Sequence, residues 1–230
     1  MAKIIMLNIF RQGPLARWLH PKDGKKPRRT VLVKQLSERD RRRIFKHFMA
    51  LDDSDRLLRF GTILPDEQVK AYVERIDFSR DIVYGVVNRV FKLVSVGHLA
   101  FAPKESQPAG AGTSKERIAE LGVSVSSTAR GRGIGSKMFE RAAIHCRNSD
   151  VDVLYMHCLS SNATMMHIAK KAGMEIQRDR GEADAYLKLL PPSTSSMLQE
   201  AIEEQVATLD YNFKANKRFA MKLLMPGASS

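Results

Sequence analysis

Residues Ala129 to Ala142 read ARGRGIGSKMFERA, three glycines interleaved with Arg130 and Arg132 where a strand-like run gives way to a helical one. Upstream, Ala119 to Val125 (AELGVSV) reads as a strand, and downstream Ile134, Met138, Ala142 and Cys146 recur at helical spacing. The first amides of a helix have no intrahelical acceptor, and the helix dipole adds partial positive charge there. Glycines remove the side chains that would hold an anion away from those amides. With two arginines alongside, such a turn suits a phosphate or pyrophosphate. A glycine turn that binds nothing is the plainer alternative.

Two common phosphate patterns do not fit. Counted from Gly131, a Walker loop would need a glycine at Ser136 and a hydroxyl at Met138. A dinucleotide fingerprint would need its third small residue at Ser136 or Met138 and an acidic residue near Cys158 and Leu159. What the stretch does match is Arg-x-x-Gly-x-Gly, with Arg130, Gly133 and Gly135 in the fixed places.

Working outward, Thr30 to Leu36 (TVLVKQL) alternates as a strand, and Ser37 with Asp40 resembles an N-cap whose hydroxyl accepts a free amide. Ile44, Phe48 and Leu51 then share one helical face. Pro65 and Asp66 open a second helix through Val69, Tyr72, Val73 and Ile76. From Asp81, DIVYGVVNRV and KLVSVGHLAF read as an antiparallel strand pair, followed by a loop from Pro103 to Ser114. Beyond the glycine turn come a helix to about Cys146, a strand from Asp152 to Leu159, a helix from Asn162 to Ala172, and a last strand AYLKLL before Pro191 and Pro192. Helices interleaved with strands, some of them hairpin-paired, predict a mixed α/β sheet over residues 30–190. Residues 191–230 form an amphipathic helical extension, with Leu198, Ile202, Val206, Leu209 and Phe213 in one stripe that would pack on its own domain or on a second copy of the chain.

Composition narrows the class. A chain of 230 residues, 43% hydrophobic, can bury a full core. Its two cysteines, Cys146 and Cys158, are too few for a disulfide framework, and no apolar run reaches the roughly 18 residues that span a bilayer. The opening MAKIIMLNIF lacks a small-residue cleavage site, so a cytoplasmic protein without a membrane segment is expected. Of the formal charge of +13, residues 1–50 carry +11 (14 Lys+Arg against 3 Asp+Glu). That pattern suggests a basic leader, residues 1–29, with Trp18 as an anchor, on a nearly neutral domain. Nucleic acid is not expected as a partner, because no aromatic-interleaved basic motif accompanies the charge. The pairs His145-Cys146 and His157-Cys158 sit on a helix and a strand, where adjacent side chains diverge, so no metal is expected.

With these motifs in place, the chain resembles the GCN5-related N-acetyltransferases (GNAT). The resemblance rests on AELGVSV, on the Arg-x-x-Gly-x-Gly loop, and on Asn162 leading MMHIAKKAGM to Gly173 and Met174. It runs over Thr30 to Leu190 and is strongest from Ala119 to Met174. AELGVSVSSTARGRGIG and DRLLRFGTILP are also similar to the acetyltransferase domain of bacterial protein-lysine acetyltransferases. The resemblance implies a largely antiparallel central sheet with helices on both faces. It also implies acetyl-CoA as co-substrate and an amine acceptor, a protein lysine or a small molecule.

Carried over residue by residue, the loop of Arg130, Gly131, Arg132, Gly133, Ile134, Gly135 and Ser136 would hold the coenzyme pyrophosphate. Val123, Ser124 and Val125 would run beside the pantetheine, and Asn162 would be a coenzyme contact or merely a helix cap. Glu120 would be the general base that takes the ammonium proton, or else a surface ion paired with Arg117. The family's tyrosine, general acid toward the thiolate, is replaced here by Ala169. Tyr155 and His167 are near in sequence, though His167 should face away. A cationic acceptor would need an acidic pocket, for which Leu51 to Asp55 (LDDSD) is the one candidate cluster. A coenzyme-binding module without catalysis is the competing reading.

Overall fold

The computed structural model describes residues 30–101 and 116–224. The basic leader with Trp18 and the loop from Pro103 to Ser114 lie outside the described residues. Seven strands form one sheet in the order β1-β2-β3-β4-β5-β7-β6. They are β1 (Lys34–Leu36), β2 (Ile82–Val87), β3 (Leu93–Phe101), β4 (Ile118–Val125), β5 (Val153–Leu159), β6 (Glu175–Asp179) and β7 (Glu182–Lys188). Every neighbouring pair is antiparallel except β4 and β5. The helices are α1 (Arg41–Met49), α2 (Asp53–Phe60), α3 (Asp66–Glu74), α4 (Ile134–Asn148), α5 (Ala163–Ala172) and α6 (Thr194–Leu224). A parallel neighbour requires a crossover, and α4 supplies it between β4 and β5.

Strand alternation divides the core in two. On one face Leu99, Ala119, Leu121 and Leu154 pack with Ile134, Met138 and Ala142 of α4 and Ile168 of α5. On the other, Val83 and Val96 pack with Ile44 and Phe48 of α1 and Val69 and Val73 of α3. Helices on both faces of a mostly antiparallel sheet are what the family resemblance implies.

Several local details differ from the expectation. Only Lys34–Leu36 of the first run pairs, with β2. Ser37 and Asp40 form the expected capping box, though on a short 3-10 turn (Glu38–Asp40), with the Asp40 carboxylate accepting the Ser37 N–H at 3.1 Å. LDDSD starts a helix of its own, α2, because Asp52 accepts the Asp55 N–H at 2.8 Å and Gly61 (φ 75°) ends it. The last strand runs Glu182–Lys188, and ahead of it lies β6, which the sequence pattern does not signal because its EIQRD is mostly exposed and without apolar alternation. Arg180 and Gly181, both at positive φ, close that hairpin, as a two-residue turn requires.

The terminal helix α6 docks in the opposite sense to an ordinary amphipathic helix. Its inner side is polar: Glu200 meets Arg141 at 3.0 Å and His145 at 2.7 Å, Glu203 meets Lys137 at 2.9 Å, and Tyr211 donates to Asp40. Arg141 is only 1% exposed and stacks near Tyr84. Burial pushes Glu200 up, but His145, Asn148 and Arg141 outweigh it and hold the carboxyl at about 2. Leu198, Ile202, Leu209 and Phe213 face outward, 54–69% exposed. Among the described residues no helix is long and apolar enough to cross a membrane.

Candidate active site

β4 and β5 pair only from Ile118↔Val153 to Glu120↔Tyr155. Beyond that point β5 continues along β7 to Leu159↔Glu182, while β4 stays with β3 to Val125↔Ser95. The strands therefore splay, and Leu121 to Val125 present main-chain groups on the β5 side that no strand takes up. Helix α2 lies across this gap and touches both strands.

The glycine turn sits where β4 ends. Gly131 and Gly133 have φ of 72° and 76°, a left-handed conformation that side chains other than glycine rarely adopt. A Cβ on either would meet nothing within 4 Å, so the turn's outer surface is open. Gly133 caps α4 and accepts the Lys137 N–H at 3.0 Å. The N–H groups of Gly131, Arg132, Gly133, Ile134, Gly135 and Ser136 meet no acceptor among the described residues. Gly135 differs: its Cβ would lie 3.1 Å from Ile168, where α4 packs on α5.

The side chains expected around the turn are partly engaged within the protein. Arg130 pairs with Asp55 of α2 and reaches the Val125 carbonyl at 3.3 Å. Arg132 is exposed and bonds to the Thr128 carbonyl at 3.1 Å. Asn162 accepts the Met165 N–H at 3.1 Å as the cap of α5, and its amide reaches the Leu58 carbonyl of α2 at 3.4 Å. Its side chain is thus occupied as a cap.

On the α2 side of β4, Glu120, Gly122 and Ser124 alternate along one face. Glu120 is exposed and lies beside Tyr155 in register. Arg117 bonds instead to the Ser149 and Asp150 carbonyls at 2.7 and 3.2 Å, and no ion pair joins it to Glu120 among the described residues. Over Gly122 lies the Arg59 guanidinium of α2, whose Cζ and both terminal nitrogens would be 2.6–2.7 Å from any Cβ there. Arg59 donates to the Tyr72 hydroxyl at 2.7 Å; Tyr72 donates to His98 Nδ1 at 2.8 Å; His98 Nε2 donates to Asp81 at 2.9 Å. Burial lowers the His98 pKa against the pull of Asp81, which favours the neutral ring with its single proton toward Asp81. His47 of α1 bonds to the Ser124 hydroxyl at 2.7 Å, and burial brings its pKa down to about 4.

Sequence reading missed Arg59, Tyr72, His98 and Asp81, because they come from four separate segments and form no local motif. Tyr155 donates to Asp184 at 2.5 Å, and burial followed by that bond raises its pKa, so it stays protonated. Ala169 is 1% exposed inside the core, and His167 is exposed on the outer side of α5. The two thiols are buried, Cys146 raised to about 12 by desolvation, which makes it a poor nucleophile.

Comparison with known proteins agrees with this fold. A family model described as acetyltransferase (GNAT) family matches residues 15–174. No curated protein matches in sequence. Among solved structures, the GNAT domain of S. lividans PAT is 19% identical, with TM-score 0.56 over 70% of this chain and 95% of its own. An N-acetyltransferase from Staphylococcus aureus is 13% identical, with TM-score 0.53 over 70% of this chain and 99% of its own. An Arabidopsis thaliana protein solved in complex with acetyl-CoA is 12% identical, with TM-score 0.50 over 69% of this chain and 98% of its own. At these identities the likeness is one of fold.

Proposed function

This chain belongs to the acetyltransferase (GNAT) family, and on that footing we propose that it moves an acetyl group from acetyl-CoA to a primary amine by direct attack. The observation that carries the reading is the run of six N–H groups, Gly131 to Ser136, without acceptors at the start of α4, next to the splayed edge of β4. An extended thiol carrier ending in a diphosphate needs those two features side by side: donors for the phosphates and a free strand edge for the amide-bearing arm.

The loop amides, with Arg132 and Arg130 beside them, would hold the pyrophosphate. The main chain of Val123 to Val125 would position the thioester and direct an N–H at the oxygen that becomes anionic on attack. Glu120, exposed and beside the gap, would take the proton from the ammonium through a water. The amine nitrogen then bonds to the carbonyl carbon, the C–S bond breaks, and the thiolate takes its proton from solvent. A thiol pKa near 8.5 makes that departure tolerable without a general acid at Ala169.

The test is release of thiol from acetyl-CoA with amines, peptides and candidate proteins as acceptors. Glu120→Gln should lower turnover by a factor on the order of 10²–10⁴ and leave coenzyme affinity unchanged. Tight coenzyme binding without thiol release for any acceptor would instead favour a non-catalytic coenzyme-binding module, the reading that the buried Ala169 supports.

A further inference from the structure

We infer that Arg59 is the anion receptor of the acceptor site, and that the amine acetylated here also carries a carboxylate, as an amino acid does. The inference rests on the acetyltransferase reading and narrows its acceptor.

Position comes first. The guanidinium lies flat against Gly122, in space that only a glycine leaves open. Gly122 directly precedes the segment that would hold the thioester, so Arg59 stands at the acyl end of the cleft and not at the phosphate turn. Gly122 and Glu120 share a face two residues apart, about 7 Å along a strand. The amine and carboxylate of an α-amino acid, each with one hydrogen bond of about 2.9 Å, span a similar length.

Charge comes second. Arg41, Arg43, Arg56, Arg130 and Arg141 each meet a carboxylate, whereas Arg59 meets none among the described residues. Its polar partner is the neutral Tyr72 hydroxyl, itself fixed by His98 and Asp81. Phe48, Phe60 and Tyr72 wall it in at 5.8, 5.0 and 5.5 Å from their ring centres. Its Nε is buried without a partner. A guanidinium held between rings and left without a counter-charge is prepared for a planar anion, and its fork matches a carboxylate.

The opposite preference is poorly served. In the acidic cluster that a polyamine would want, Asp52 caps α2 and Asp55 is buried against Arg130, which leaves Asp53 as its one unengaged carboxylate among the described residues. Asp81 is engaged by His98. A polycation would meet Arg59 instead.

The experiment measures acetyl-CoA thiol release by the full chain with α-amino acids, their amides and methyl esters, spermidine and a lysine peptide. Amino acids should be the acceptors, and masking their carboxylate should raise KM at least about tenfold. Arg59→Gln should erase that difference and leave coenzyme affinity unchanged; Arg59→Lys, which keeps charge and bulk, should restore part of it. A preference for spermidine or the lysine peptide, or equal use of acids and amides, would overturn the inference while leaving acetyl transfer standing. So would weakened coenzyme binding in Arg59→Gln with discrimination intact. If no acceptor releases thiol, the acetyltransferase reading fails by itself, and calorimetry decides the receptor. Amino-acid binding to the coenzyme-loaded protein that Arg59→Gln abolishes supports it, and absence of such binding overturns it.

Discussion

Asp55 of α2 and Arg130 of the glycine turn, separated by 75 residues, form an ion pair that ties the helix over the cleft to the loop beneath it. The carboxylate is 8% exposed on its side chain and the guanidinium 49%, so one partner is anchored and the other can swing. A diphosphate at the turn would compete with Asp55 for that guanidinium.

Asp55→Asn is therefore expected to tighten coenzyme A binding about threefold, the scale of a partly exposed ion pair. Arg130→Ala should loosen it about tenfold. Isothermal titration of both variants decides the matter, and weaker binding in Asp55→Asn would show that the pair shapes the turn and does not compete with the ligand.

Gly122→Ala tests the same contact. The added methyl would collide with the Arg59 guanidinium and not with backbone, so that group must leave its place between Phe48, Phe60 and Tyr72 and give up its bond to the Tyr72 hydroxyl. Unfolding free energy should fall by about 1–2 kcal/mol in denaturant titration, the scale of one hydrogen bond and a ring contact. Acceptor KM should rise as in Arg59→Gln.

Acid should weaken the fold before ordinary carboxylates titrate. His47 is 3% exposed, and burial lowers its pKa from 6.5 to about 4. The unfolded chain thus binds more protons below pH 6.5, and stability falls with pH until the folded ring protonates near 4. The full effect is on the order of 3 kcal/mol. His98, lowered by burial as well, acts in the same direction. Denaturant midpoints measured from pH 7 to pH 5 should decline, and His47→Phe should flatten the slope.

Arg141 holds α6 down. It is buried between Glu200 and Glu204, at 3.0 and 3.3 Å. Arg141→Ala would take the shared cation from both carboxylates, leaving Glu200 to His145 and Glu204 to Lys34, a loss of about 1.5–3 kcal/mol, the scale of a charge-assisted hydrogen bond. Limited proteolysis should then cut within Thr194–Leu224 while the sheet stays protected; cleavage at the wild-type rate would contradict the assignment.

Much of the architecture was legible because it is local. Alternation in Ala119–Val125, the spacing of Ile134, Met138 and Ala142, and the glycines between them are properties of neighbouring residues, and β4, the turn and α4 follow from them. β6 was not legible, since an exposed edge strand needs no apolar alternation. Nor was the docking of α6: its stripe of Leu198, Ile202, Leu209 and Phe213 signals burial, but ion pairs on the other side hold the helix.

The sequence by itself determined the succession of β4, the glycine turn and α4, because backbone conformation and helix ends depend on residues within one or two turns of each other. Only the tertiary structure decided where β4 parts from β5, that Arg130 answers to Asp55, and that Arg59 lies on Gly122 with no carboxylate partner among the described residues. Those outcomes join residues from distant segments, and through-space charge and close packing leave no spacing for a linear pattern to reveal.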